Sequence, residues 1–365
     1  MKRRDFVTGL GAGAVATGLT ACGGTKDCAD ASGASSQETF EWKMVTTWPP
    51  NFPGLGTGAA NLAKRITAAS GGRITVRVYA GGELVPPLEV FDAVSRGTAE
   101  IGHGGAYYWK AKVPAAQFFG TYPFGLNAAE MNGWLYYGDG LKLWTELYKP
   151  FGLVPFPAGN TGGQMGGWYN KKINSMADIQ NLKMRIPGLG GEAFARAGGT
   201  PVLLPGGEIF TALQTGSIDA TEWVGPYNDI AFGFHKVAKY YYYPGWHEPG
   251  PTLEAIINED AWAALPEDLK EIVRVCCQSI NCDMLAEYSY RNAEAFRTLT
   301  EDPNVEVLQY PDDVLAGMKE STDAVIAELV ANDADAKRIY DSVYAFREAS
   351  TPFQRITEGA ILDAR

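Results

Sequence analysis

An internal repeat is the feature that most limits how this chain can fold. Residues 89–102 align with residues 208–221 without a gap, and a glutamate, a phenylalanine, an alanine and a glycine coincide. Each copy has the pattern of an amphipathic helix, a glycine at the helix end and a short strand that enters a loop. A glycine pair lies before each copy, Gly81-Gly82 and Gly206-Gly207. Chance similarity is the alternative, but these shared features favour two equivalent lobes.

The rest of the chain has the alternating pattern of an α/β protein. Its 365 residues suffice for two lobes with separate cores. Short strand and helix patterns alternate from residue 40, which favours a parallel or mixed sheet with helices on both faces. We therefore predict an α/β fold of two lobes that close on a ligand by a hinge. Long helical patterns follow at residues 260–297, 312–331 and 333–348.

The predicted organisation has four parts. Lobe one comprises residues 40–158 and, with the long C-terminal helices, residues 252–365. Lobe two comprises residues 159–251. Residues 23–39 are rich in small and polar side chains, which is typical of a flexible tether. Residues 1–22 are an expected signal peptide and are left out of the fold prediction.

The first residues indicate export to the periplasm. Arg3 and Arg4 precede an apolar stretch that is too short to span a bilayer as a mature helix. Paired arginines of this kind are typical of twin-arginine export. The sequence Leu-Thr-Ala-Cys that ends at Cys22 resembles a bacterial lipobox, so we expect lipid on Cys22. Cleavage nearby without a lipid is the alternative.

Charge and cysteine content exclude several classes of partner. The formal net charge of −11 argues against nucleic acid, which requires a basic face. Five cysteines do not make a disulfide scaffold in a chain of this length, and no Cys/His spacing resembles a zinc site. Cys276, Cys277 and Cys282 lie in an apolar helical pattern and are expected to be small buried thiols. A Cys277–Cys282 disulfide remains an alternative.

The loops after the two repeat strands are expected to face each other across a cleft. In open α/β sheets, ligands bind beyond the carboxyl ends of the strands. The first loop carries Tyr107 and Tyr108, and the second carries Glu222 and Trp223. The predicted site is therefore lined by aromatic rings and one carboxylate.

Arg185 is a candidate for ligand capture. It lies between Met184 and Ile186 in a short apolar strand, where a lone buried guanidinium would be costly. Its planar fork suits bidentate capture of a carboxylate. A structural ion pair, or a position on the solvent face of an edge strand, are the alternatives.

Three further residues carry candidate ligand oxygens. Glu222, at a strand end beside aromatic rings, needs a counter-charge, either a bound cation or an arginine. Gln164 could supply a neutral oxygen, because hard cations accept carboxylate, amide and backbone oxygens together. Glu248 is a second carboxylate in an aromatic loop that also holds His247, which is expected to be a hydrogen-bonded loop residue and not a metal ligand. For both acids, a solvated loop carboxylate is the alternative.

Motifs of common enzymes are missing from the sequence. It lacks the nucleophile elbow, the phosphate-binding loop, the His-Glu-x-x-His motif and a dinucleotide fingerprint. A protein without catalytic activity is therefore expected. The competing hypothesis is a secreted hydrolase that uses Glu222 and Glu248 as an acid/base pair.

Several segments together resemble the extracytoplasmic solute-binding proteins of TRAP transporters, from about residue 40 to the end. The strongest similarities are residues 81–84, 89–94, 182–188 and 205–220. Other segments are similar to the branch of this family that binds 2-oxo or 2-hydroxy monocarboxylates with a metal ion. These segments are residues 160–168, 221–223 and 245–250.

The resemblance implies a fold, a ligand and partners. The fold is that of a type II-like periplasmic binding protein, and the ligand is a small pyruvate-like or lactate-like carboxylate. The permease subunits of a TRAP transporter would receive this ligand. The branch also forms homodimers through its C-terminal helices.

The resemblance also implies a role for each site residue. Arg185 would grip the ligand carboxylate. Sodium or calcium would be held by Glu222, Gln164 and the Trp223 carbonyl, with Glu248 near the metal. Tyr107 and Tyr108 would close over the ligand.

Overall fold

The computed structural model describes residues 38–365, which form two β-sheets with helices packed around them. The strands are β1 (Phe40–Thr46), β2 (Ile74–Tyr79), β3 (Ile101–Gly104), β4 (Leu153–Asn160), β5 (Gly167–Tyr169), β6 (Lys183–Arg185), β7 (Thr200–Val202), β8 (Ala220–Thr221), β9 (Tyr240–Tyr243), β10 (Thr252–Asn258) and β11 (Glu306–Gln309). The α-helices are α1 (Leu55–Ala69), α2 (Val90–Ser95), α3 (Gln117–Gly120), α4 (Ala128–Tyr137), α5 (Gly140–Tyr148), α6 (Gly188–Arg196), α7 (Gly206–Gln214), α8 (Pro226–Phe232), α9 (Glu259–Ala263), α10 (Glu267–Glu301), α11 (Asp312–Asn332), α12 (Ala334–Gln354) and α13 (Ala360–Asp363).

Both sheets are mixed, which confirms the predicted α/β class. The first sheet has the strand order β2-β1-β3-β10-β4, and the second has the order β11-β9-β5-β8-β6-β7. In the first sheet β1 pairs in parallel with β2 and β3, and β10 runs antiparallel to β3 and β4. In the second sheet β6 is parallel to β7 and β8, whereas β5 is antiparallel to β8 and β9.

The two copies of the repeat have the predicted order of elements, one copy in each sheet. The first is α2 followed by Gly97 and β3, and the second is α7 followed by Gly216 and β8. Gly97 has φ 72° and Gly216 has φ 73°, the left-handed conformation that glycine adopts without a steric penalty at a helix end. The matching glycines therefore serve the same turn in both copies.

The C-terminal segment departs from the predicted division into lobes. Strand β11, residues 306–309, pairs in parallel with β9 of the second sheet, and α11 packs on α6. The sequence predicts that residues 252–365 form part of lobe one and the C-terminal helices, and it does not predict a strand of the second sheet there. Without β11, the backbone of β9 would be an unpaired sheet edge, and pairing removes that exposure. The long helix α10 packs on α1 and β4 and also on α8.

The predicted C-terminal helices are present, with one interruption. The first helical stretch is divided into α9 and α10, and Pro266 immediately precedes α10. Cys276 and Cys277 are buried in α10 as expected, but Cys282 is exposed, and all three are free thiols. The prediction of a buried thiol is thus wrong for Cys282, which lies on the outer face of the helix. Within residues 38–365, no helix combines the length and the apolar character needed to cross a bilayer.

Asp229 on α8 is a buried carboxyl group that accepts hydrogen bonds from two neutral side chains. The indole of Trp168 donates to Asp229 Oδ2 at 3.0 Å, and the hydroxyl of Tyr241 donates to the same oxygen at 2.7 Å. Burial raises the pKa of Asp229 to about 7, although these two hydrogen bonds act in the opposite direction. Between about pH 4 and about pH 7 the folded chain therefore holds a proton here that the unfolded chain releases.

This proton makes stability depend on pH. Because the folded pKa is raised, the contribution of Asp229 to stability is greatest at low pH and is lost as the pH rises towards about 7. We expect the unfolding free energy of the wild type, relative to that of Asp229→Asn, to fall by roughly 2.5 kcal/mol from about pH 5 to about pH 8. Urea unfolding of both proteins across this range measures the difference. A difference that is constant with pH would contradict the assignment.

Candidate functional site

The candidate site is a small cavity between the two sheets. It lies where the loops after β3 and β8 meet the end of β6, at the carboxyl ends of these strands. The space among its lining side chains is about 270 Å³, part of which is open to solvent. Its polar lining consists of Thr161, Gln164, Arg185, Glu222 and Glu248, and its aromatic lining consists of Trp48, Tyr107, Tyr108 and Trp223. All the predicted ligand and metal residues therefore line the same cavity.

Arg185 is fully buried at the end of β6. Its Nη1 donates to the Glu222 carboxylate and, at 3.3 Å, to the Glu222 carbonyl. Its Nε donates to the Leu204 carbonyl at 3.2 Å, and its Nη2 donates to the Tyr108 hydroxyl at 3.3 Å. The guanidinium lies 4.9 Å from the centre of the Trp223 ring. The solvent-exposed alternative for Arg185 is thus wrong, because the side chain is 1 % exposed.

Glu222 is the counter-charge of Arg185. Burial, the largest single influence, acts to lower the pKa of Arg185, but Glu222, Tyr107 and Tyr108 together outweigh it, so the pKa of Arg185 is raised. The second carboxylate oxygen of Glu222 lies 3.2 Å from His247 Nε2. The sequence left either a bound cation or an arginine as the counter-charge of Glu222. In the structure, Arg185 forms the ion pair with Glu222. This contact agrees with the prediction that His247 is a hydrogen-bonded loop residue.

Gln164 and Glu248 form a second polar pair in the cavity. Gln164 Nε2 donates to Glu248 Oε2 at 2.8 Å. Both residues are buried, so the solvated alternative is wrong for Glu248 as well as for Glu222. Burial and then the charge of Glu222 raise the pKa of Glu248 well above its usual range. A positive charge beside Glu248 would remove this conflict.

The oxygen atoms around the cavity suit a hard cation. Gln164 Oε1 is buried without a hydrogen-bond partner among the described residues, which is costly unless a ligand contacts it. Two carboxylates, this amide oxygen and backbone carbonyls are the oxygens that sodium and calcium accept. In residues 38–365, no cluster of three or more Asp, Glu, His or Cys side chains could hold a metal by itself. Amide, carbonyl and ligand oxygens would therefore have to complete the coordination.

The turn at Ala106–Trp109 brings two tyrosines to the cavity. Tyr107 and Tyr108 are nearly buried, with ring centroids 4.8 Å apart. Next along the chain, Lys110 Nζ bonds to Glu192 Oε1 at 2.8 Å on α6, beside the second sheet. This ion pair joins the two sides of the cavity next to the predicted closing loop.

The other wall of the cavity is aliphatic. Leu55, Val224 and Leu253 line it, and Met284 fills the space behind Leu253 near Gly159. Leu55 and Leu253 are absent from the predicted site, because neither stands beside a polar motif in the sequence. Trp48, which is edge-on to Trp223 at 6.5 Å, is absent from it as well. Trp48 follows the carboxyl end of β1, and its position after a strand was the available signal.

Two sheets around a small cavity with a polar lining define a two-lobed ligand-binding protein. Residues 44–333 match the family of bacterial extracellular solute-binding proteins called family 7, or DctP. The chain belongs to this family, which comprises the solute-binding proteins of TRAP transporters and not enzymes. The family also confirms the predicted location outside the cytoplasm.

Relatives of known ligand are similar over nearly the whole chain. A monocarboxylate 2-oxoacid-binding periplasmic protein of Nostoc sp. is 40 % identical over 358 residues, covering 98 % of this chain and 97 % of the relative. The structure of a TRAP solute-binding protein from Pseudoalteromonas atlantica, with bound sodium and pyruvate, is 39 % identical with a TM-score of 0.87 and covers 90 % of this chain and 100 % of its own. A third relative, from Bordetella bronchiseptica, is a mixed-occupancy dimer with calcium and picolinate in one active site, at 38 % identity, a TM-score of 0.88 and 90 % and 97 % coverage.

Proposed function

We propose that this chain captures a small 2-oxo carboxylate, such as pyruvate, with a sodium or calcium ion and delivers it to the permease subunits of a TRAP transporter. The observation that carries the proposal is one small cavity that contains a buried arginine, two buried carboxyl groups and an amide oxygen without a hydrogen-bond partner in residues 38–365. The relatives that bind 2-oxo acids or pyruvate support the ligand class. Lactate-like 2-hydroxy acids are the second ligand class to test.

Arg185 is the proposed carboxylate ligand. Its Nη1 is held by Glu222, whereas its Nη2 has only the long contact with the Tyr108 hydroxyl among the described residues. A ligand carboxylate can replace this weak contact with a charge-assisted hydrogen bond. Tyr107, Tyr108 and Trp223 would then exclude water, which strengthens the charged contacts by lowering the local dielectric constant.

Glu222, Glu248, Gln164 and the Trp223 carbonyl are the proposed cation ligands. A cation supplies positive charge and accepts oxygens from protein and ligand together. It also allows two carboxylates to face an anionic ligand, which would otherwise be repulsive. The cation and the carboxylate are therefore expected to bind cooperatively.

The hydrolase alternative has no support. Glu222 is tied to Arg185 and His247, and Glu248 is tied to Gln164, so neither carboxylate stands free as an acid or a base. Membership of a family of binding proteins argues in the same direction.

A thermal-shift panel tests the proposed function. Protein stripped of metal is titrated with pyruvate, lactate and acetate in sodium-free buffer, and then again with sodium or calcium restored. We expect pyruvate to raise the melting temperature only when a cation is present, with a stabilisation of about 2.7 kcal/mol at a ligand concentration 100 times Kd. Acetate, which lacks the 2-oxo group, is the matched control and should stabilise less. Equal stabilisation by pyruvate without any cation would contradict the role of the metal.

We also propose twin-arginine export, a lipid on Cys22 and a homodimer. Residues 1–37, including Cys22, lie outside the described residues, and cell fractionation of the wild type and Cys22→Ala tests the anchor.

Exposed apolar side chains at the C-terminus, among them Phe353, Ile356 and Leu362, support a homodimer interface there. Sedimentation of the purified chain tests it, since a monomer at all concentrations would contradict the dimer.

A further inference from the structure

Glu254 is a buried acid that the binding site does not use. It lies on β10, between β3 and β4 in the first sheet, and its side chain is completely buried. The register between β10 and β4 shifts between Leu253 and Glu254, as in a β-bulge, because Ala158 of β4 has no partner residue on β10. Bulges re-aim side chains next to functional sites. Here Leu253 lines the ligand cavity, and Glu254 is the next residue.

Both hydrogen-bond donors to Glu254 are neutral. The Trp109 indole donates to Oε1, and the Tyr148 hydroxyl donates to Oε2 at 2.9 Å. Among the described residues, no Lys, Arg or His forms an ion pair with Glu254. A buried carboxyl without a cation is costly compared with an apolar side chain. Hydrogen bonds from two neutral donors do not offset this cost, so a contribution to the stability of the fold does not by itself explain a glutamate at position 254.

Trp109 connects Glu254 to the ligand cavity. It is the last residue of the Ala106–Trp109 turn, which also carries Tyr107 and Tyr108. The Tyr108 ring packs edge-on to Trp109 with centroids 6.0 Å apart, and the Tyr108 hydroxyl accepts from Arg185. Fixing the Trp109 indole therefore fixes the two tyrosines that cover the cavity.

We propose that Glu254 is a positioning residue for ligand closure: its carboxyl group holds the Trp109 indole and thereby keeps the Tyr107–Tyr108 turn over the bound ligand. Tyr148 bonds to the same carboxyl group but belongs to α5, outside the turn. Removing the donor in the turn, Trp109, therefore tests the positioning of the turn, whereas removing the donor outside it, Tyr148, tests the effect on stability. The inference rests on the proposed function only for the identity of the ligand.

The test compares Trp109→Phe with its matched control Tyr148→Phe. Each variant removes one hydrogen bond to Glu254 and keeps an aromatic ring. Trp109→Phe also leaves a small cavity, so urea unfolding should show the larger loss of stability for Trp109→Phe. We expect the dissociation rate of pyruvate, measured by stopped flow with sodium or calcium present, to rise about tenfold in Trp109→Phe and in Glu254→Leu. Tyr148→Phe should leave it within about twofold of the wild type. In Glu254→Gln the amide oxygen still accepts from the Trp109 indole, so the dissociation rate of pyruvate should stay close to that of the wild type.

Hydrogen exchange gives a second readout that needs no ligand. The amides of Tyr108, Lys112 and Val113 bond to carbonyls of Gly105 and Trp109 in and after the turn. We expect faster exchange at these amides in Trp109→Phe and Glu254→Leu but not in Tyr148→Phe. Equal effects of Trp109→Phe and Tyr148→Phe on dissociation and exchange would overturn the proposal. Failure of the wild type to bind pyruvate would overturn the ligand assignment, while the exchange data would still decide the role of Glu254.

Discussion

Replacing Arg185 by lysine is expected to weaken pyruvate binding by about 100-fold while the chain still folds. Lysine keeps a positive charge for Glu222 but loses the planar fork that bonds to two partners at once. It also loses the stacking of the guanidinium on Trp223, which lies 4.9 Å away. Isothermal titration calorimetry in the presence of the preferred cation measures the change.

Arg196→Lys is the matched control for this prediction. Arg196 lies on the neighbouring helix α6, is largely exposed and pairs with Glu328 at the surface. Surface ion pairs contribute little, so this variant should keep both stability and affinity. Unchanged pyruvate affinity in Arg185→Lys, with Glu222 still in place, would remove Arg185 from the ligand contacts and leave it a structural ion-pair partner.

Replacing Glu222 by glutamine is expected to weaken cation binding and ligand binding together. If metal and carboxylate raise each other's affinity, loss of the metal lowers pyruvate affinity by the coupling factor, roughly 5-fold to 150-fold. Reciprocity requires that pyruvate affect the cation by the same factor in the wild type. Titrations of pyruvate with and without cation, and of cation with and without pyruvate, close this cycle. Glu328→Gln, at an exposed surface pair, is the control.

Because Arg185 and Glu222 form an ion pair, the Glu222→Gln variant distinguishes two possible roles of Glu222. If Glu222 serves only as the counter-charge of Arg185, its removal frees the guanidinium, and pyruvate should bind more tightly without any cation. If Glu222 also holds the cation, pyruvate affinity should fall and lose its dependence on sodium or calcium. The ligand-free variant should also lose stability, because the buried guanidinium loses its carboxylate partner.

Local patterns in the sequence were sufficient to predict much of the architecture. The two copies of the helix–glycine–strand repeat predicted equivalent units, because helix periodicity and a left-handed glycine are determined within a few residues. The same reasoning placed Tyr107 and Trp223 at strand ends, where ligands bind in α/β folds. The apolar neighbours of Arg185, Met184 and Ile186, indicated a short apolar strand but left the exposure of the arginine open, and the structure buries its side chain.

What the tertiary structure alone decided is which of these side chains meet. Arg185 and Glu222 are 37 residues apart, and Gln164 and Glu248 are 84 residues apart, so no local pattern could pair them. The joining of β11 to the second sheet likewise depends on a distant unpaired edge of β9. Glu254 had no polar motif beside it, and its role emerged only from the bulge and from Trp109, 145 residues away. Periodicity determines which face of an element is apolar, but charge pairing depends on distances between elements that only the folded chain brings together.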